Sequence, residues 1–110
     1  MATRIRRCRF TGARWWLVLL LPFAGTATAA TILVFGDSIS AAYGLKPEQG
    51  WVARLQQRLD SEAPGRHHVV NGSLSGETTS GGVRRLRPLL QQHHPDVVVL
   101  ELGGNDGLRG

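Results

Sequence analysis

Cysteine is nearly absent from this 110-residue chain: the only one is Cys8. Everything after residue 8 therefore lacks disulfides and thiolate chemistry, and no small residues of the kind a lipidation site needs stand before Cys8. A membrane-spanning run is missing too. The apolar stretch Trp15 to Ala24 is about half of the roughly 20 residues a spanning helix requires, and Pro22 lies within it. Acidic residues are missing from the first 14 positions, which hold five of the 13 basic ones (Arg4, Arg6, Arg7, Arg9 and Arg14). From Thr31 onward eight basic residues balance eight acidic ones, so the net charge of +5 belongs to the N-terminal segment. The isoelectric point near 11.0 then reports that segment, and a basic nucleic-acid face is excluded. No Gly-x-Gly-x-x-Gly follows the first apolar run, which argues against flavin or nucleotide binding.

What the N-terminus does have is the layout of an export signal. A basic segment precedes the apolar stretch, and Ala27-Thr28-Ala29 follows it, so cleavage is expected before Ala30. Residues 1–29 are read as a signal peptide and residues 30–110 as the mature part. The protein is then periplasmic or secreted and meets the membrane only in transit. An uncleaved anchor is the alternative. Arg6-Arg7 with Phe10 is also compatible with the twin-arginine route.

The mature part alternates in character. Thr31 to Phe35 is a β-branched, apolar run ended by Gly36, the pattern of a buried strand. From Trp51, Val52, Leu55 and Leu59 recur at helical spacing, and Ala63-Pro64-Gly65 stops the pattern. His68 to Asn71 reads as a second strand. Asn71-Gly72 alone suggests a hairpin, but no alternating return strand follows it. Val83, Leu86 and Leu90 then share a helical face, with Pro88 expected to kink that helix or split it in two. After Pro95, Asp96 to Leu100 is the third strand. Strand, helix, strand, helix, strand implies an α/β fold: a flavodoxin-like, three-layer α/β/α arrangement with a parallel sheet.

Each strand ends in a polar motif, and parallel strands bring all three to one edge, where open α/β sheets carry their chemistry. The motifs are Gly36-Asp37-Ser38, Asn71-Gly-Ser-Leu-Ser-Gly76 and Gly103-Gly104-Asn105-Asp106. Singly, each has a structural explanation. Ser38 can cap a helix, Gly76 can allow a turn, and Asn105 can close an Asx-turn. Asp37, Ser40 and Asp106 read as braces of their loops. Together the three motifs describe a nucleophile beside an oxyanion hole: a hydroxyl, a backbone N–H unscreened by a side chain, and a side-chain amide.

The same residues resemble the first three sequence blocks of the SGNH (GDSL) hydrolases. Val69 to Gly76 and Leu100 to Gly110 are most similar to the periplasmic thioesterase, lysophospholipase and arylesterase branch. The resemblance implies that Ser38 is the nucleophile and also gives an oxyanion N–H. It implies Gly76 as a second, backbone donor and Asn105 as a third, through its side chain. An acyl-enzyme on Ser38, a small acyl ester or thioester as substrate, and no metal or organic cofactor follow from it. The family's last block, Asp-x-x-His, supplies the base, and nothing here matches it. The 110 residues are therefore expected to be the N-terminal part of the hydrolase domain and inactive alone. Carbohydrate acetylesterase activity and a non-catalytic binding module are the alternatives. Oligomeric state is not legible.

Overall fold

A computed structural model describes residues 28–109, so the expected signal segment lies almost wholly outside the described residues. The chain runs β1 (Ala30–Gly36), a 3-10 turn (Pro47–Gln49), α1 (Trp51–Glu62), β2 (His67–Asn71), α2 (Thr79–His93), β3 (Val97–Glu101) and α3 (Gly104–Arg109). The sheet is parallel with strand order β2-β1-β3. This is the βαβαβ arrangement expected from the alternation of apolar runs.

β1 is central because it is apolar on both faces, and Leu33, Val34 and Phe35 are fully buried. Leu33 and Phe35 point toward α2, where Gly82 sits against Phe35 and Leu89 lies near Leu33 around Gly72. Side chains alternate along a strand, so Ile32, Val34 and the paired Val69 point the other way, to the face that α1 covers with Val52. One helix thus lies on each face of the sheet.

Two features of α2 refine the sequence reading. The helix is continuous from Thr79 to His93 and is not broken at Pro88. Proline removes the bond to the Arg84 carbonyl, but both residues are exposed, so water can replace it. Val83 and Leu86 share one side of an open apolar groove with Phe35, Leu100 and Leu102, as their spacing suggests, but Val83 is left 76% exposed. The buried residues at the start of the helix are Gly81 and Gly82. A Cβ on Gly82 would come within 2.9 Å of Leu102 and 3.2 Å of Phe35. Seating that glycine against the sheet leaves Val83, about 100° further round, at the open rim of the groove.

The register fixes where the motifs emerge. Gly36 pairs with Glu101, and Val34 with Asn71, so all three strands end at one rim. His67 and His68 pair with Ala30 and Thr31 at the opposite end. His94 caps the C-terminus of α2 in the left-handed conformation, φ 43°, at that same far end.

Gly36 itself is under close constraint. A Cβ there would stand 2.8 Å from the Glu101 carbonyl oxygen and 2.9 Å from Ser40 Oγ. The carbonyl belongs to a paired strand and cannot retreat. Gly36→Ala is expected to cost about 3 kcal/mol of stability, read as a lowered urea midpoint at unchanged slope.

Candidate active site

The first loop is built around Asp37. It is 4% exposed, and its Oδ1 accepts the Ile39 N–H at 3.0 Å. The Ala41 N–H bonds the Asp37 carbonyl at 2.9 Å, and the Tyr43 N–H bonds that of Ser38 at 3.0 Å. These bonds wind residues 37–44 into successive turns, with Ala42 at φ 57°. No regular helix starts at Ser38, since α1 begins only at Trp51. Ser38 is half-buried. Among the described residues nothing hydrogen-bonds its hydroxyl or its N–H, so it is not acting as a cap.

The second loop leaves β2 and turns back at Gly76. The Glu77 N–H donates to the Leu74 carbonyl at 3.1 Å, closing a four-residue turn. Gly76 is the third residue of that turn and has φ 79°, which L side chains rarely adopt. The Leu74 N–H ties the loop to the Gly36 carbonyl at 3.0 Å, and Ser73 Oγ accepts the Gly36 N–H at 3.0 Å.

Asn105, at the start of α3, joins the two. Its Nδ2 donates to the Glu77 carbonyl at 2.9 Å and lies 3.4 Å from Asp37 Oδ2. A primary amide has two N–H donors. One is held by the loop that carries Gly76. The other faces the Ser38 loop in a bond too long to be strong. Arg109 also reaches across, giving Nη2 to the Gly76 carbonyl at 3.1 Å. The structure thus gathers the three expected residues at one rim, with Asn105 bridging between the neighbours of the other two.

Asp37 and Asp106 are braces, as their positions in the sequence suggested. Asp106 accepts from the Thr79 hydroxyl at 2.7 Å and the Thr79 N–H at 3.0 Å, clamping α3 to the start of α2. The Thr79 hydroxyl, then the Thr79 N–H, holds its carboxyl below the usual 3.8. A lowered folded-state value means stability that is complete above about pH 4 and is lost as pH falls through the folded value. Thr79→Val is expected to raise the Asp106 pKa and so shift the start of acid unfolding upward, read by carboxyl NMR titration.

Sequence reasoning missed a second tier of residues. Glu101 accepts from Ser40 Oγ at 2.9 Å and from the Asp37 N–H at 3.4 Å, and Trp51 Nε1 donates to Ser40 Oγ at 3.2 Å. Asn71 Nδ2 donates to the Ser40 carbonyl at 2.7 Å. Glu77 is buried and paired with Arg85. The one signal that could have found Glu101 is its place as a lone acid closing an apolar strand.

Comparison with known proteins agrees with this arrangement. Residues 34–110 match the GDSL-like lipase/acylhydrolase family. Esterase TesA of Pseudomonas aeruginosa is 60% identical over 84 residues, covering 76% of this chain and 41% of the relative. Thioesterase 1/protease 1/lysophospholipase L1 of Escherichia coli K12 is 45% identical over 100 residues, covering 88% and 46%. The crystal structure of esterase EstA from Pseudoalteromonas, inhibited by monoethylphosphonate, superposes with a TM-score of 0.68 at 53% identity, over 74% of this chain and 44% of that one. The chain spans less than half the length of each. With the parallel sheet, the three motif loops and a profile match over most of the sequence in agreement, the chain belongs to the GDSL-like lipase/acylhydrolase family.

Proposed function

We propose that the protein is an exported serine hydrolase of small acyl esters or thioesters, with Ser38 as nucleophile. The observation that carries this reading is the Asn105 amide spanning the loops of Ser38 and Gly76. Ser38 Oγ attacks the carbonyl carbon while a general base takes its proton. The carbonyl oxygen becomes an oxyanion, held by the N–H groups of Ser38 and Gly76 and by Asn105 Nδ2. Collapse expels the alcohol or thiol, which regains the proton from the base. Water then repeats the attack on the acyl-enzyme, releasing the carboxylic acid and freeing Ser38. Each step needs only a hydroxyl, N–H donors and a base, so no cofactor is required.

The base is the one part that the described residues do not bring to Ser38. All four histidines belong to the ends of the elements farthest from the motif rim, and a base must lie within hydrogen-bond reach of the hydroxyl. Turnover therefore requires a base docked beside these loops, the part that the family resemblance assigns to an Asp-x-x-His segment. Export fits the balanced charge from Thr31 onward behind a basic, apolar leader. The names of the relatives at 45–60% identity favour esters and thioesters. The acetyl xylan esterase of Geobacillus stearothermophilus is only 27% identical, so carbohydrate acetates are the weaker reading.

The test is a substrate panel on the protein purified from its source: p-nitrophenyl butyrate, an acyl-CoA and acetylated xylan. Hydrolysis of the first two supports the proposal. Activity on the xylan alone, or binding of acyl compounds without turnover, contradicts it.

A further inference from the structure

Glu77 touches both proposed oxyanion loops while its side chain is fixed elsewhere. Its N–H closes the turn that holds Gly76 at φ 79°, and its carbonyl takes the Asn105 amide at 2.9 Å. The side chain is buried. One carboxylate oxygen pairs with Arg85 Nη1, and the other accepts the Thr78 N–H at 3.2 Å, against the first turn of α2. Arg85 is anchored in turn. Its Nη2 donates to the Gly72 carbonyl at 2.9 Å, and its guanidinium lies 5.3 Å from the centre of the buried Phe35 ring.

The packing leaves little freedom in this arrangement. A Cβ on Gly81 would lie 2.0 Å from Glu77 Oε1, so the helix gives up a side chain to admit the carboxylate. Burying an ion pair carries a desolvation cost that often cancels its attraction. Glu77 is 6% exposed and Arg85 35%, so the carboxylate bears most of that cost, and stability alone explains the pair poorly. Here it ties one residue's backbone to the buried Phe35 of β1 and to the first turn of α2.

We infer that Glu77 is a positioning residue: its ion pair with Arg85 sets the main chain that aims both Gly76 and Asn105 at the oxyanion. This rests on the hydrolase reading above. Ion-pair loss lets the Gly76–Glu77 peptide drift, and a displacement near 1 Å at a reacting centre costs up to about 100-fold in rate.

The test uses Glu77→Gln, which keeps size and hydrogen-bonding capacity, and Arg85→Lys, which keeps the charge. In the same preparation used for kinetics, 15N NMR reads the Asn105 side-chain amide directly. We expect the proton bound to the Glu77 carbonyl to lose its downfield shift and exchange protection in E77Q, and to keep part of both in R85K. In the active enzyme with p-nitrophenyl butyrate, E77Q should lower kcat by roughly 10- to 100-fold with KM within about twofold. In an N105A background it should add far less than its full effect, because part of its action passes through that amide. An unchanged Asn105 amide in E77Q, or full additivity with N105A, overturns the inference. If N105A itself leaves kcat intact, the oxyanion reading fails first and the Glu77 role falls with it.

Discussion

Replacing Ser38 by alanine is expected to remove ester hydrolysis almost completely. The loss should be on the order of 10^6-fold in kcat, the size found when the nucleophile of a serine protease is deleted. Stability should stay within about 0.5 kcal/mol of the parent, because nothing among the described residues bonds the Ser38 hydroxyl. The pair of readouts matters more than either alone. Were Ser38 a helix cap, the substitution would cost about 1 kcal/mol of stability and little activity. Kinetics with p-nitrophenyl butyrate and a urea melt on the same preparation separate the two outcomes.

Asn105→Ala is the second large effect, and it has a different signature. An oxyanion donor acts only when charge has developed, so kcat should fall by about 10^2- to 10^3-fold while KM changes little. Part of the stability will go as well. Asn105 holds the Glu77 carbonyl at 2.9 Å, and one such bond contributes about 1 kcal/mol. Asn105→Asp should be no better than alanine, since a carboxylate repels the oxyanion and cannot donate to it when ionised. A KM effect without a kcat effect would make Asn105 a substrate-binding residue only.

Much of the fold was legible because the apolar periodicity is strong. The run from Thr31 to Phe35 reads as a strand buried on both faces, and it is the central one. Asn71-Gly72 was correctly set aside as a hairpin because no alternating partner follows it. Val83 shares a face with Leu86, and what periodicity does not reveal is its 76% exposure. Periodicity scores side chains, whereas the start of α2 comes closest to Phe35 and Leu102 at Gly82, which has none. Pro88 leaves the helix unsplit for a related reason: its cost depends on whether the freed carbonyl meets water, and that is a property of the folded surface.

The site was legible in its outer tier and hidden in its supports. Ser38, Gly76 and Asn105 are chemically conspicuous, each at the end of an apolar run. Glu101 and Glu77 look like ordinary acids in a charge-balanced chain. They become significant only when the register brings Glu101 opposite Gly36 and the glycine pair of α2 makes room for the Glu77 carboxylate. Small residues at those contacts carry the information, and they leave no periodic signal.

The most direct test of the central claim is covalent labelling of a whole lysate of the native source with a fluorophosphonate, followed by peptide mass analysis. A fluorophosphonate transfers its phosphonyl group to an activated hydroxyl with loss of fluoride, so it reports the nucleophile and the base that activates it together. We expect one labelled peptide from this protein, modified at Ser38, in a preparation that hydrolyses acyl esters. Label on another serine, such as Ser40 or Ser73, or an unlabelled Ser38 in a preparation whose hydrolase activity copurifies with this protein, would contradict it.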